Sequence, residues 1–221
     1  MSLRQFQNTG CSGSVCPSEA NRRAHLRLGS TAISVLLALS VSGCALLKSP
    51  PPPRDTFELS APSKVSSIAG NTRAQLLVKL PNALKSIDSD RIIVKSGPSG
   101  ITYLAGAQWA DSVPRMVQAK LVEAFENTGS TGAAAKPGDG LVIDYQLISE
   151  IRRFEISETG DASIEMSIKL LSDKTGKVLE TRIFAASSNV SGDTPADLVA
   201  GFDAAFAQLS RSIIKWTLAR I

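Results

Sequence analysis

Apolar residues recur along this chain with two distinct periods. Strict alternation marks the strands. Ala162, Ile164, Met166, Ile168 and Leu170 interleave with Ser163, Glu165, Ser167 and Lys169, and after the turn Asp173-Lys-Thr-Gly-Lys177 the run from Val178 to Ala186 returns as a partner strand, an antiparallel meander with one wet face. Upstream, Leu141, Ile143, Tyr145 and Leu147 alternate. The apolar positions then move to Ile148, Ile151, Phe154 and Ile156, which predicts a long strand with a bulge or bend near 148. Phe57 and Leu59 predict a short strand over 56–61, and the apolar run 74–80, closed by Pro81-Asn82, predicts one buried on both faces. Residues 91–95 and 101–104 flank Ser96-Gly-Pro-Ser-Gly100 and read as a hairpin.

The second period is helical. Val113, Met116, Val117, Leu121, Ala124 and Phe125 share one side of a helix over about 112–127, with Asp111 placed to cap it and Pro114 in its first turn. The Gly-rich stretch 128–140 then predicts a mobile surface loop without a phosphate-cradling motif. A last helix opens at Thr194-Pro195, with Asp197 at its third position. Val199, Phe202, Phe206, Leu209, Ile213 and Trp216 form a heptad stripe along it, for packing on the protein's own sheet or against a coiled-coil partner. Strands, helix, strands, helix in one chain predict a single α+β domain over 55–221, a mostly antiparallel sheet of about six to seven strands with two helices on one face.

The first 54 residues follow neither period. Arg22-Arg-Ala-His-Leu-Arg27 precedes the uncharged stretch Leu28 to Val41, a basic region followed by an apolar one. At about 14 residues this stretch falls short of the roughly 20 that a membrane-spanning helix needs. It ends in Val41-Ser42-Gly43-Cys44, which resembles the bacterial lipobox: residues 1–43 would be leader and signal, and Cys44 the acylated first residue of the mature protein. Residues 1–20 read as an unusually long leader or a misassigned start. Beyond Cys44, the four prolines Pro50 to Pro53 make 44–54 a semi-rigid stalk able to hold the domain up to ~30 Å from a bilayer, with a partner ligand as the other reading of the run. Ala45 after the cysteine favours the outer membrane by resemblance to enterobacterial sorting rules.

Processing alters the charge argument. The full chain carries 24 basic and 20 acidic residues, a net charge of +4. Residues 1–43 contain four of the basic residues and one acid, Glu19, so the mature chain is left with +1. The basic character belongs to the leader and gives no support to a nucleic-acid partner. His25, Cys11, Cys16 and Cys44 are the only imidazole and thiols, all in the first 44 residues. The rest of the chain therefore cannot build Cys nucleophiles, Ser-His-Asp triads, the usual Zn sites or a disulfide framework. No cofactor is expected. Catalysis would have to rest on carboxylates such as Asp88 with Asp90 or Glu155 with Glu158, in the manner of a glycosidase, and acids at such spacings are ordinary on solvated surfaces.

Three residues are candidates for partner binding. Tyr103 and Trp109 stand on either side of a short segment containing Ala105-Gly-Ala-Gln108, between strand and helix, where amphipathic aromatics suit a binding hot spot and also suit a lid on the core. Asp111 is either a helix cap or a ligand for a partner. Arg152-Arg153 reads as a solvated strand pair or as a contact for lipid headgroups or an acidic partner.

The run from Arg91 through Tyr103-Leu104 to Trp109-Ala-Asp111, followed by the helix with Pro114 and Leu121, closely resembles the ABC-type transport auxiliary lipoprotein family. Phe57-Glu-Leu59 stands where that family often has Tyr-x-Leu, and Asp173-Lys-Thr-Gly176, the Ala-rich residues 196–208 and Trp216 match its later features. The resemblance implies a non-catalytic periplasmic lipoprotein that accompanies an ABC permease and ATPase working with a mammalian-cell-entry (MCE) domain protein in lipid transport. It agrees with membrane attachment through acylated Cys44, it centres on the segment that holds the docking candidates Tyr103, Trp109 and Asp111, and it is compatible with a lipid ligand and a homo-oligomer. The alternative is a structural outer-membrane assembly or envelope-maintenance lipoprotein unconnected with any transporter.

Overall fold

The computed structural model describes residues 53–63, 72–130 and 132–221. Cys44, the signal segment and nearly all of the proline run lie outside them. The strands are β1 (Asp55–Phe57), β2 (Gln75–Val78), β3 (Asn82–Ala83), β4 (Ile93–Ser96), β5 (Gly100–Tyr103), β6 (Ala107–Trp109), β7 (Ala133–Ala135), β8 (Tyr145–Ile156), β9 (Ala162–Ser172) and β10 (Val178–Ser188); the helices are α1 (Val113–Glu126) and α2 (Pro195–Leu218).

β8 is the spine of an eight-stranded sheet. One of its edges pairs antiparallel with β9, which pairs antiparallel with β10. Its other edge takes three short parallel strands in turn: β2 opposite Tyr145 to Leu147, β3 opposite Glu150 and Ile151, and β4 opposite Glu155 and Ile156. The hairpin of β4 and β5 forms as the sequence predicts, with Ile93 opposite Tyr103. The fold is α+β, as expected. Its long strands are antiparallel, but β2, β3 and β4 join β8 in parallel, β7 joins β2 in parallel, and β1 and β6 form a separate parallel pair.

Four expectations are corrected. β2 is not buried on both faces: Leu76 and Val78 are buried, whereas Gln75 and Leu77 are half-buried. β8 starts at Tyr145, leaving Leu141 and Val142 exposed, because Asp144 is the point of attachment; its Oδ2 accepts from the Gln75 N–H at 2.9 Å. The register shift falls between Ile151 and Arg153 rather than near 148, and makes Arg152 the extra residue. The Gly-rich stretch contains a strand, since β7 pairs parallel with β2 and buries Ala134 and Ala135. Only glycine fits at position 132, where a Cβ would lie 2.1 Å from the Arg73 carbonyl oxygen.

The helices close the core. α2 has the expected capping box: Thr194 accepts from the Asp197 N–H, and Asp197 accepts from the Thr194 N–H at 3.2 Å. Its heptad stripe is buried, with Phe202, Phe206 and Ile213 fully so. Gly201 lets the helix approach closely, since a Cβ there would meet Val190 Cγ2 at 2.6 Å. α1 is fastened to the sheet by Gln118, whose Nε2 donates to the Val78 carbonyl at 2.9 Å. Among the described residues no helix is long and apolar enough to cross a membrane.

Candidate functional site

The segment that joins the hairpin to α1 is held by backbone bonds to elements distant in the chain. Leu104 N–H donates to the Ile92 carbonyl at 2.9 Å, Trp109 N–H to that of Asp90 at 2.7 Å, and Ala110 N–H to that of Phe57 at 2.7 Å. Gly106 turns the chain with φ 71°, a left-handed conformation that suits glycine. β6 is thereby seated beside β1, with Trp109 opposite Phe57.

The three candidate residues separate in this setting. Trp109 is 1% exposed. Its ring stands edge-on to Phe154 at 5.8 Å and to Phe202 at 5.3 Å, and these two rings stack on each other at 4.8 Å. A direct contact between Trp109 and a partner is therefore corrected to a supporting role, because β1, β8 and α2 place apolar groups around the indole. Asp111 is exposed, but it is not the helix cap. Ser112 occupies that position without a side-chain bond, and Asp111 Oδ1 accepts from the Ser112 N–H at 2.7 Å. The first amide of α1 is satisfied instead by the Ser89 carbonyl, at 3.1 Å from Val113 N.

Tyr103 is half-buried, and the Arg91 guanidinium lies 3.6 Å above its ring centroid. This cation–π pair presents a charge and an aromatic edge together. Reading residues singly missed Arg91. The signal was available in the hairpin register, because Ile93 opposite Tyr103 makes Arg91 its diagonal neighbour on the same face. Ile101, on the same strand, is exposed.

Four of the remaining charged candidates, Asp88, Arg152, Arg153 and Glu155, are engaged locally. Arg153 approaches Glu155 at 3.7 Å and Glu165 at 3.5 Å, Arg152 approaches Glu150 at 3.7 Å, and Lys85 approaches Asp88 at 3.5 Å. Such exposed pairs contribute roughly 0–1 kcal/mol each. Two groups are more strongly perturbed. Burial pulls the Lys120 ammonium down, but hydrogen bonds to Glu58 at 3.0 Å and Glu123 at 3.3 Å outweigh it and raise its pKa. Glu180 is held below its ordinary value, first by its hydrogen bond from Arg220 and then by that from the Trp216 indole. Among the described residues no group of His, Cys, Asp and Glu is arranged to hold a metal.

Residues 57–214 match the family profile of the ABC-type transport auxiliary lipoprotein component. The chain belongs to this family. The matched span of this auxiliary lipoprotein runs from Phe57 beside Trp109 to Ile214 in α2, and so covers the aromatic cluster and the hairpin. An uncharacterized protein of Bradyrhizobium diazoefficiens is 34% identical over 172 residues, which are 76% of this chain and 46% of the relative. The chain thus spans less than half the length of that curated relative. The crystal structure of a Xanthomonas campestris protein superposes with a TM-score of 0.63 at 31% identity, covering 76% of this chain and 93% of the other. A second crystal structure, of an uncharacterized protein, gives 0.61 at 14% identity over 75% and 99% of the two chains, and supports the fold alone.

Proposed function

We propose that this auxiliary lipoprotein is the non-catalytic docking component of an ABC-type lipid transport system, attached through acylated Cys44 to the outer membrane and engaging an MCE-domain protein that works with the permease and ATPase. The family match over residues 57–214 carries the reading. The lipobox ending at Cys44 supplies the anchor, and the proline run supplies the spacer. A docking role without chemistry of its own accords with Asp88 and Glu155 being taken up in ion pairs on the surface.

The contact is assigned to Tyr103 with Arg91 and to Asp111, on the exposed side of the segment that Trp109 anchors. At a net charge of +1 the mature chain steers partners weakly over long range, and affinity then rests on buried aromatic and Arg groups at short range. The test is capture of the MCE-domain protein by the full chain and by Tyr103→Ala. The variant is expected to bind about thirtyfold more weakly, about 2 kcal/mol, while remaining folded. Unaltered capture would move the contact elsewhere, and absence of capture by the parent chain would contradict the docking role.

A further inference from the structure

β10 ends the main sheet, and among the described residues no strand pairs with its outer edge. The strand β7 at the opposite end has three residues, whereas β10 has eleven, about 36 Å of free ladder at roughly 3.3 Å per residue. Long edges are ordinarily blunted by proline, charge or a covering element, because their N–H and C=O groups template further pairing. β10 has no proline, its register shift is confined to the stretch between Val178 and Glu180, and it leaves Val178, Leu179 and Ile183 49, 48 and 54% exposed.

α2 runs antiparallel beside this edge, and three cavities trace the trough between them. Arg182 to Ala185 face Ser212, Lys215, Trp216, Ala219 and Arg220 across about 510 Å³, Ala185 to Ser187 share about 300 Å³ with Gln208 and, across the sheet, with Ser163 and Arg153, and Ser188 and Asn189 meet Asp197, Ala200 and Ala204 around about 170 Å³. The small side chains of Ala200, Ala204 and Ser212 keep the helix wall low. At its widest part the trough is lined by Arg182, Lys215 and Arg220 above Phe184 and Trp216, whose rings meet edge-on at 5.5 Å, and the Glu180 carboxylate beside it is bonded to Arg220 and Trp216. Arg220 is engaged by Glu180, whereas Arg182 and Lys215 make no ion pair among the described residues.

We infer that β10 and α2 form a strand-addition site, in which an extended acidic segment of a partner protein pairs with β10 and sets a carboxylate between Arg182 and Lys215. Main-chain bonds along the edge give such a site its affinity, and alternate side chains in the trough give it specificity. Charge selects the occupant. A second copy paired edge to edge would bring two cationic sets together, with each Glu180 already committed to Trp216 and Arg220, whereas a carboxylate between Arg182 and Lys215 gains charge-assisted hydrogen bonds. The inference rests on the reading of the chain as a docking component.

A photo-crosslinking residue placed at Ile183 in the full chain, within its native envelope, tests it, with the same residue at Ile101 reporting on the hairpin surface. Mass spectrometry of the crosslinked peptides is expected to show Ile183 joined to an Asp- or Glu-containing segment of a transport component. Combining Arg182→Glu with Lys215→Glu should lower that yield at least tenfold, while Lys215→Arg retains it and every variant stays folded. Capture of nothing at Ile183, of lipid, or of β10 from a second copy overturns the inference, as does a yield indifferent to the charge reversal. An MCE-domain protein captured at Ile101 with nothing at Ile183 would sink the site and leave the proposed function standing. An acidic segment captured at Ile183 from a protein outside any transport system would do the reverse.

Discussion

The indole of Trp109 meets the ring of Phe202 edge-on, with centroids 5.3 Å apart and planes at 80°. The contact joins the segment before α1 to the middle of α2, and edge-to-face pairs of this kind add about 0.5–1.5 kcal/mol beyond their area. The indole Nε1 is buried without a partner among the described residues. Trp109→Ala is therefore expected to cost about 3–5 kcal/mol, and Trp109→Phe markedly less, because phenylalanine keeps an aromatic ring in the cluster and removes the unpaired N–H. Equal losses for the two, measured by denaturant unfolding, would show that the N–H has a partner that matters.

Phe206 lies fully buried in the stripe of α2. Phe206→Ala should cost about 3–5 kcal/mol, a large share of a typical stability of about 5–15 kcal/mol. A variant that keeps its melting temperature and instead splits an oligomer would assign the stripe to an interface between chains.

Glu180 fastens β10 to the end of α2, accepting from Trp216 Nε1 at 2.9 Å and from Arg220. Because these bonds lower its pKa in the folded state, its stabilising effect is complete above the unfolded value of 4.5 and fades as pH falls through the folded value. Glu180→Gln should thus melt below the parent chain at pH 7, and the gap should narrow as pH drops below 4.5. A gap independent of pH would show that the carboxylate charge contributes nothing.

Cys44 is expected to hold the protein in the membrane. A single myristoyl-length chain binds marginally, at about 10⁴ M⁻¹, and several chains anchor stably. Cys44→Ser should accumulate as unprocessed precursor or as soluble product. Recovery of the parent protein from the soluble periplasm, starting at Ala45, would contradict the anchor.

Much of the fold was legible where the determining contacts are close in sequence. The meander of β9 and β10 follows from alternation around a short turn, and the start of α2 from Thr194, Pro195 and Asp197 within four positions. The missed features depend on distant partners. β7 is three alanines, residues of low strand preference, and forms because β2 offers an edge and Gly132 permits close approach to Arg73. Trp109 reads as a lid on the core or as a surface hot spot until Phe154 and Phe202 are brought around it. Asp111 gave way to Ser112 at the cap because the Ser89 carbonyl already satisfies the Val113 amide. The hairpin was legible, but the stacking of Arg91 on Tyr103 required its register.

Purification of the full chain from crosslinked envelopes decides whether this family member docks a lipid transport system. The MCE-domain protein, permease or ATPase should co-purify, and Tyr103→Ala should deplete them. Recovery of outer-membrane assembly factors, with no transport component, would contradict the docking role.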